Sequence, residues 1–261
     1  MIREQKHAAP SPPPPTPPPA LESSIQNLTP EGLLRLASNT ALTEDLALSV
    51  LNRSDLPVAV LEAFAKNGTF LKLRKAKIAL ASHPHTPRHV SVPLIRQFYT
   101  FDLMKVALTP GVPADVKVVA DEVLVARLKS VTLGERLALA RRGSGRVAGA
   151  LLLDGEAPVM RMALENGRLT EVFVIQAVLR PEANVVLVQA VSQHKKWSYR
   201  REIRIALLRT EHLSLARALE FSLGLPLPFL REVLHSSRMP ARVKEQLLRE
   251  HESADKHRGM Q

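Results

Sequence analysis

Apolar residues recur at helical spacing along most of the chain, and breaks interrupt them every 12 to 16 residues. The clearest case is 113–129. Val116, Val119, Ala120, Val123, Leu124 and Leu128 form an i, i+3, i+4, i+7, i+8 stripe. Pro113 stands in its first turn, where a missing N–H is tolerated. Asp115 and Lys129 lie at the ends that the helix dipole favours. Asp121 and Glu122 fall on its expected polar side.

Similar starts recur. Thr29-Pro30 and Thr86-Pro87 each place a capping hydroxyl before a first-turn proline. Leu56-Pro57 and Val112-Pro113 keep the proline alone. Thr132 with Glu135 predicts a capping box, and Thr170 and Ser198 are further N-cap candidates. Every second predicted start falls at Pro30, Pro57, Pro87, Pro113, Gly145, Thr170, Ser198 and Leu227, so the step is near 28 residues. A near-constant step of this size predicts a row of helical hairpins that bury their apolar faces against neighbours. Ala79, Ala107, Ala138 and Ala163, each between large apolar residues, suggest places where helices approach closely. The register weakens toward the C-terminus, where VLHSSRMP at 233–240 repeats the texture of VLNRSDLP at 50–57. The last helix, about 240–250, is charged enough to close the row with a polar face.

The expected fold is therefore all-α, an α-solenoid of about eight short hairpins. Residues 25–250 form the helical-repeat domain, 1–24 a disordered proline-rich segment and 251–261 a flexible tail. In the N-terminal segment, 10–19 reads PSPPPPTPPP. Eight prolines in ten positions remove the donors that helix or sheet requires and predict extended polyproline II. Such a segment serves as a stiff spacer or docks a partner domain through an aromatic-lined groove.

Composition narrows the chemistry. Aromatics are only 4% and glycines number 11, which suits helix packing better than a β-sandwich or a phosphate loop. The chain has no cysteine, which removes disulfides, thiolate metal sites and cysteine nucleophiles. No apolar run reaches the roughly 20 residues that span a bilayer. The first ten residues lack the apolar core of a secretory signal. These features predict a cytoplasmic protein. The net charge of +11 sits on 26–248, because both ends balance. A basic folded surface favours acidic partners.

IALASHPHTP, at 78–87, resembles the repeat unit of the leucine-rich-repeat-variant proteins, which belong with the HEAT-like and armadillo-like α-solenoids. Ser82, Pro84, Thr86 and Pro87 stand at the turn positions of that unit, and Asn52, Ser54 and Pro57 echo it. The resemblance implies architecture and a binding scaffold, and it carries over no site. The cysteines that hold an iron–sulfur cluster in one such protein have no counterpart here.

Two basic clusters are candidate anion or nucleic-acid contacts. The first is Lys195, Lys196, Trp197, Arg200, Arg201 and Arg204, around the single tryptophan and Tyr199. If Ser198 caps a helix, Arg200 and Arg204 share a face. Trp197 is expected in the buried place that Leu56 and Val112 hold before their prolines. The second cluster is Arg141, Arg142 and Arg146 around Gly143-Ser144-Gly145, a turn able to cradle an anion but unlike a P-loop. The repeat register places both clusters on one edge. A third run, Lys72, Arg74, Lys75 and Lys77, reads as a solvated face.

His83, His85 and His89 lack a nearby carboxylate, so no metal or cofactor is expected. Asp154 and Glu156 flank a turn, and no nucleophile-elbow string occurs. The expectation is a non-catalytic scaffold that binds a protein partner through its concave or basic face. The alternative is a nucleic-acid-binding solenoid with a basic ridge. A HEAT-like DNA glycosylase ranks behind both.

Overall fold

Short apolar stripes between frequent breaks can only make short helices, and the computed structural model consists of them. It describes residues 28–258, with side chains to 253. The proline-rich segment lies outside the described residues. Sixteen α-helices, one short 3-10 helix and no strand occur among the described residues. They are α1 (Pro30–Ala37), α2 (Glu44–Leu51), α3 (Val58–Lys66), α4 (Arg74–Ser82), α5 (Arg88–Ile95), α6 (Thr100–Leu108), α7 (Ala114–Arg127) and α8 (Leu133–Arg142). Then follow α9 (Gly145–Leu151), α10 (Ala157–Leu164), α11 (Glu171–Leu179), α12 (Val185–Gln193), α13 (Arg201–Leu208), α14 (Leu215–Ser222), α15 (Leu227–His235) and α16 (Ala241–Arg258).

Local signals explain most starts. The side chains of Thr29, Thr43, Thr132, Ser144 and Asn184 each accept a first-turn N–H, and Thr132 and Glu135 form the full capping box. Thr86 departs from expectation. Its hydroxyl donates back to the Leu80 carbonyl at 2.6 Å, and α5 begins only at Arg88. The last helix runs past 250 to Arg258, because its first breaker is Gly259.

The helices cluster into two compact units, divided between Ile95 and Arg96. In the first unit α1 packs on α3, α2 on α4, and α4 on α5. Leu33, Val50, Leu61, Phe64, Phe70 and Leu80 are buried there, and the Phe64 and Phe70 rings lie 4.8 Å apart. In the second unit α6 pairs with α7. Beyond them most helices also pack on the one two places further along: α7 on α9, α8 on α10, α9 on α11, α10 on α12, α11 on α13, α13 on α15 and α14 on α16. Leu103, Leu124, Leu139, Val188, Phe221 and Val233 lie in that core. Each such side chain contributes about 1.5–3 kcal/mol by burial.

Helices of eight residues leave half of their backbone groups unpaired at the two ends. One device recurs at the C-terminal ends. Asn67 donates through Nδ2 to the carbonyls of Ala37 and Asn39, both at 2.9 Å, while its Oδ1 accepts from the N–H of Thr69. His83 donates through Nε2 to Arg53 O at 2.7 Å, and its Nδ1 accepts from the N–H of His85. Asn166 donates to Ala140 O at 2.7 Å and Gly143 O at 3.2 Å, and accepts from the N–H of Arg168. Ser237 donates to Leu208 O at 2.7 Å and accepts from the N–H of Met239. In each case one side chain braces its own turn two residues on and ties it to the carbonyls of a turn 23 to 30 residues earlier. Trp197, Arg127, Arg217 and His251 also make a backward bond, to Leu164 O, Phe98 O, Ser192 O and Leu225 O.

The four recurrent alanines do not form a shared seam. Ala107 and Ala163 are buried, whereas Ala79 and Ala138 are half-exposed. Other small residues, such as Ala37, Ala47, Ala76, Ala140 and Ala148, are fully buried.

Two outcomes follow. Asn166→Ala strands two buried carbonyls and should lower stability by about 1–3 kcal/mol in urea unfolding. Asn166→Asp should be worse at neutral pH, where a carboxylate faces carbonyl oxygens, and should recover toward the Ala variant in acid. Burial pushes the His83 imidazole below its usual value, against the bond to Arg53 O. The unfolded chain therefore takes up this proton first as pH falls. Stability from His83 is complete above about 6.5 and is lost as pH drops through and below that value. Melting temperature should fall between pH 7 and pH 5, and His83→Gln, which keeps a donor and an acceptor, should flatten that decline.

A basic edge as candidate functional site

Three successive turns of the second unit form the candidate site. They are the α8–α9 turn, the α10–α11 turn and the α12–α13 turn. Asn166 binds the first turn to the second through Ala140 O and Gly143 O. The Arg168 guanidinium adds a bond to Arg142 O at 3.4 Å. Trp197 and His194 bind the second to the third, through Leu164 O at 3.1 Å and the Glu165 carboxylate at 3.1 Å. The two basic clusters thus lie on one edge, with the 165–170 turn between them.

In the α8–α9 turn the glycines serve close packing. A Cβ on Gly143 would lie 2.5 Å from Leu139 O, and one on Gly145 would run into the Arg168 carbonyl. Ser144 between them caps α9, accepting from the Val147 N–H at 3.2 Å, and donates its hydroxyl to Asp121 Oδ1 at 2.8 Å. Asp121 is therefore not on a polar side. It is 8% exposed, and burial pushes its carboxyl up, opposed by the Ser144 hydroxyl and by Arg146. Glu122 is the exposed member of that pair. Asp154 is likewise buried as a side chain, 3.5 Å from Arg136.

In the α12–α13 turn Ser198 is buried and caps nothing. The helix starts three residues later, with Arg200 as its N-cap. Trp197 is 2% exposed and spends its indole N–H on Leu164 O. It holds the turn and offers no surface for stacking. Arg204 is also drawn in. Its Nε donates to Ser198 O at 2.6 Å, and its guanidinium lies 5.1 Å from the Phe221 ring centroid. These two candidate contacts are structural. Arg200 and Arg204 sit one helical turn apart, but only Arg200 faces solvent.

The remaining candidates, Arg141, Arg142, Arg146, Lys195, Lys196, Arg200 and Arg201, are all exposed. Sequence reasoning missed one member of the edge, Arg168, and placed Tyr199 in the first cluster without assigning it the stacking surface. Arg168 stands alone in Asn166-Gly167-Arg168, so no run of charge marks it. Tyr199 is 76% exposed and is the aromatic available for stacking, with the Arg204 guanidinium 5.9 Å from its ring centroid. The third basic run opens α4 in the other unit, where Lys72, Arg74 and Lys75 are exposed. His83 spends both ring nitrogens on the turn, and His89 lies 3.3 Å from Glu62. Among the described residues no group of three metal-binding side chains comes together. No helix among them is long and apolar enough to cross a membrane.

Comparison with protein-family models, curated proteins and solved structures finds no match for this chain.

Helices α7, α9 and α11 also enclose a cleft of about 330 Å³, lined by Glu122, Val125, Arg146, Leu153, Phe173 and Arg180. Gly149 lets Phe173 into it, since a Cβ there would sit 2.8 Å from Phe173 Cβ.

The glycines predict opposite responses to one methyl group. Gly145→Ala meets backbone and should destabilise by about 1–3 kcal/mol. Gly134→Ala, inside α8 with nothing within 4 Å, should stabilise by about 0.5–1 kcal/mol. Urea midpoints of the two variants check both signs.

Proposed function

We propose that this chain is a helical-repeat binding scaffold of the α-solenoid kind, each unit a short row of hairpins, and that the basic edge is its recognition surface for an acidic partner. The observation that carries the reading is the charge of that edge. Residues 141–146, 165–171 and 194–201 bring eight exposed cations together with two acidic residues, Glu165 and Glu171. The four turns at the opposite ends of the same helices, 128–132, 152–156, 180–184 and 209–214, carry Asp154, Glu156, Glu182 and Glu211 against Lys129, Arg180 and Arg209. The excess charge is therefore sorted to one edge. Sorting of this kind focuses field and raises the local concentration of an oppositely charged ligand.

Helix stability does not account for the sorting. Arg141 and Arg142 end α8, where a cation complements the dipole. Arg146 and Arg201 lie in the first turns of α9 and α13, where the dipole opposes a cation. Glu202 offsets this in the first turn of α13, whereas the first turn of α9 holds no acidic residue, and a ligand anion beside Arg146 supplies the complement there.

A second reading has its own support. The α7–α9–α11 cleft has an apolar wall of Val125, Leu153 and Phe173, which suits a protein segment.

Retention on heparin tests the edge. Arg142→Ser, Arg168→Ser and Arg201→Ser combined should elute at clearly lower salt. Lys72→Ser, Lys75→Ser and Arg74→Ser remove the same charge from the other unit and should shift elution much less. Equal shifts would reduce the effect to net charge.

A further inference from the structure

We infer that the acidic partner of the basic edge is a single-stranded nucleic acid, held by its phosphates along the three turns and stacked by a base on Tyr199. This rests on the edge being the recognition surface and goes on to name the ligand.

Three features distinguish the ligand class. The first is linearity. The cations follow a row of three turns joined by hydrogen bonds, from Arg141 through Arg168 to Arg201. A row matches a chain of phosphates better than a flat bilayer surface. The second is the aromatic. Tyr199 stands 76% exposed between Lys195-Lys196 and Arg200-Arg201. Cations that track a backbone beside an open ring are the combination that binds unpaired bases. A carboxylate-rich peptide would use the cations and leave the ring idle. The third is the relief of the edge. It consists of helix ends and short turns, and among these residues no helix flank or ribbon projects to enter a duplex groove. A duplex would meet only the charges, and a single strand would meet both charges and ring.

Arg204 supports the role of Tyr199. Its guanidinium is fixed by Ser198 O at 2.6 Å and lies over the tyrosine ring, 5.9 Å from the centroid. The ring is thus backed on one side while the rest of it faces solvent. Arg204 acts here as a positioning residue.

The test is fluorescence anisotropy with labelled oligo(dT) and oligo(U) of about 20 nucleotides, a duplex of equal length, and polyglutamate as an acidic protein mimic. The expected result is that the single strands bind at least tenfold tighter than the duplex or polyglutamate. Affinity should fall steeply with salt, as release of counterions requires. Tyr199→Ala should weaken single-strand binding by roughly 5- to 100-fold with the salt slope unchanged, and Tyr199→Phe should keep most of it. Arg200→Glu with Arg201→Glu should weaken binding and flatten the salt slope. Circular dichroism of each variant confirms that the helices persist, as the exposure of these side chains requires. Equal binding of duplex and single strand, insensitive to Tyr199→Ala, would overturn the inference and leave a general polyanion site. Tight binding of polyglutamate without nucleic acid would overturn it in favour of an acidic protein. Binding only to phosphatidylserine vesicles would overturn it in favour of a membrane. Loss of heparin retention as well would remove the reading beneath it.

Discussion

The helices of this protein are too short to pair their own backbones. A helix of eight residues leaves four N–H and four carbonyl groups without an internal partner. Left buried and unpaired, each costs about 1–3 kcal/mol. The solution is a turn side chain with one donor and one acceptor. Asn67, His83, Asn166 and Ser237 each accept from a backbone N–H two residues on and donate to carbonyls of an earlier turn. His194 does the same but donates to the Glu165 carboxylate. This one bond pair closes the turn and ties it to one 23 to 30 residues earlier, so the spacing of the turns is a hydrogen-bonding requirement as much as a packing one.

That requirement explains what the sequence reveals and what it hides. The starts were legible wherever a cap or proline marks them. The predicted Pro30, Gly145 and Leu227 begin α1, α9 and α15, while Pro57 and Pro113 stand one residue before α3 and α7. The start at Ser198 was not legible, because Trp197 and Ser198 are buried to serve the turn and delay α13 to Arg201. The bracing residues were hidden for a different reason. The device needs a donor and an acceptor, and Asn, His and Ser all supply them, so no single letter repeats. The visible alanine recurrence was a weaker guide. Burial at Ala163 and exposure at Ala138 have no common cause beyond helix propensity. The boundary at Ile95–Arg96 left no break in composition to mark it.

At the candidate site, charge was legible and direction was not. A run such as Lys195-Lys196 exposes itself, and both lysines do face solvent. Arg204 and Trp197 show the limit of that inference. An arginine with a carbonyl and a phenylalanine ring in reach is drawn inward, and a tryptophan whose N–H meets Leu164 O becomes part of the wall. Asp121 shows the converse. Its place beside Glu122 reads as polar surface, yet the Ser144 hydroxyl makes burial tolerable and fastens α7 to the start of α9. Only tertiary contacts decide these cases.

The same contacts bear on function through what they leave unsatisfied. Each turn has its carbonyls tied backward, so the negative ends of α8, α10 and α12 are largely neutralised within the fold. The positive ends of α11 and α13 open on the same edge, and neither has a side chain capping it by hydrogen bond. Arg200 and Arg201 add positive charge at the start of α13, where a carboxylate would have stabilised the helix. Local stability alone would select an Asp, Ser or Thr at the N-cap, as it does in Thr132 and Ser144 elsewhere. Glu171 and Glu202 lie in the first turns of α11 and α13, and the eight exposed cations of the edge still outnumber its carboxylates. An anion bound across it would complete both the arginines and the helix ends, so ligand binding and folding stability should be coupled through the same few residues.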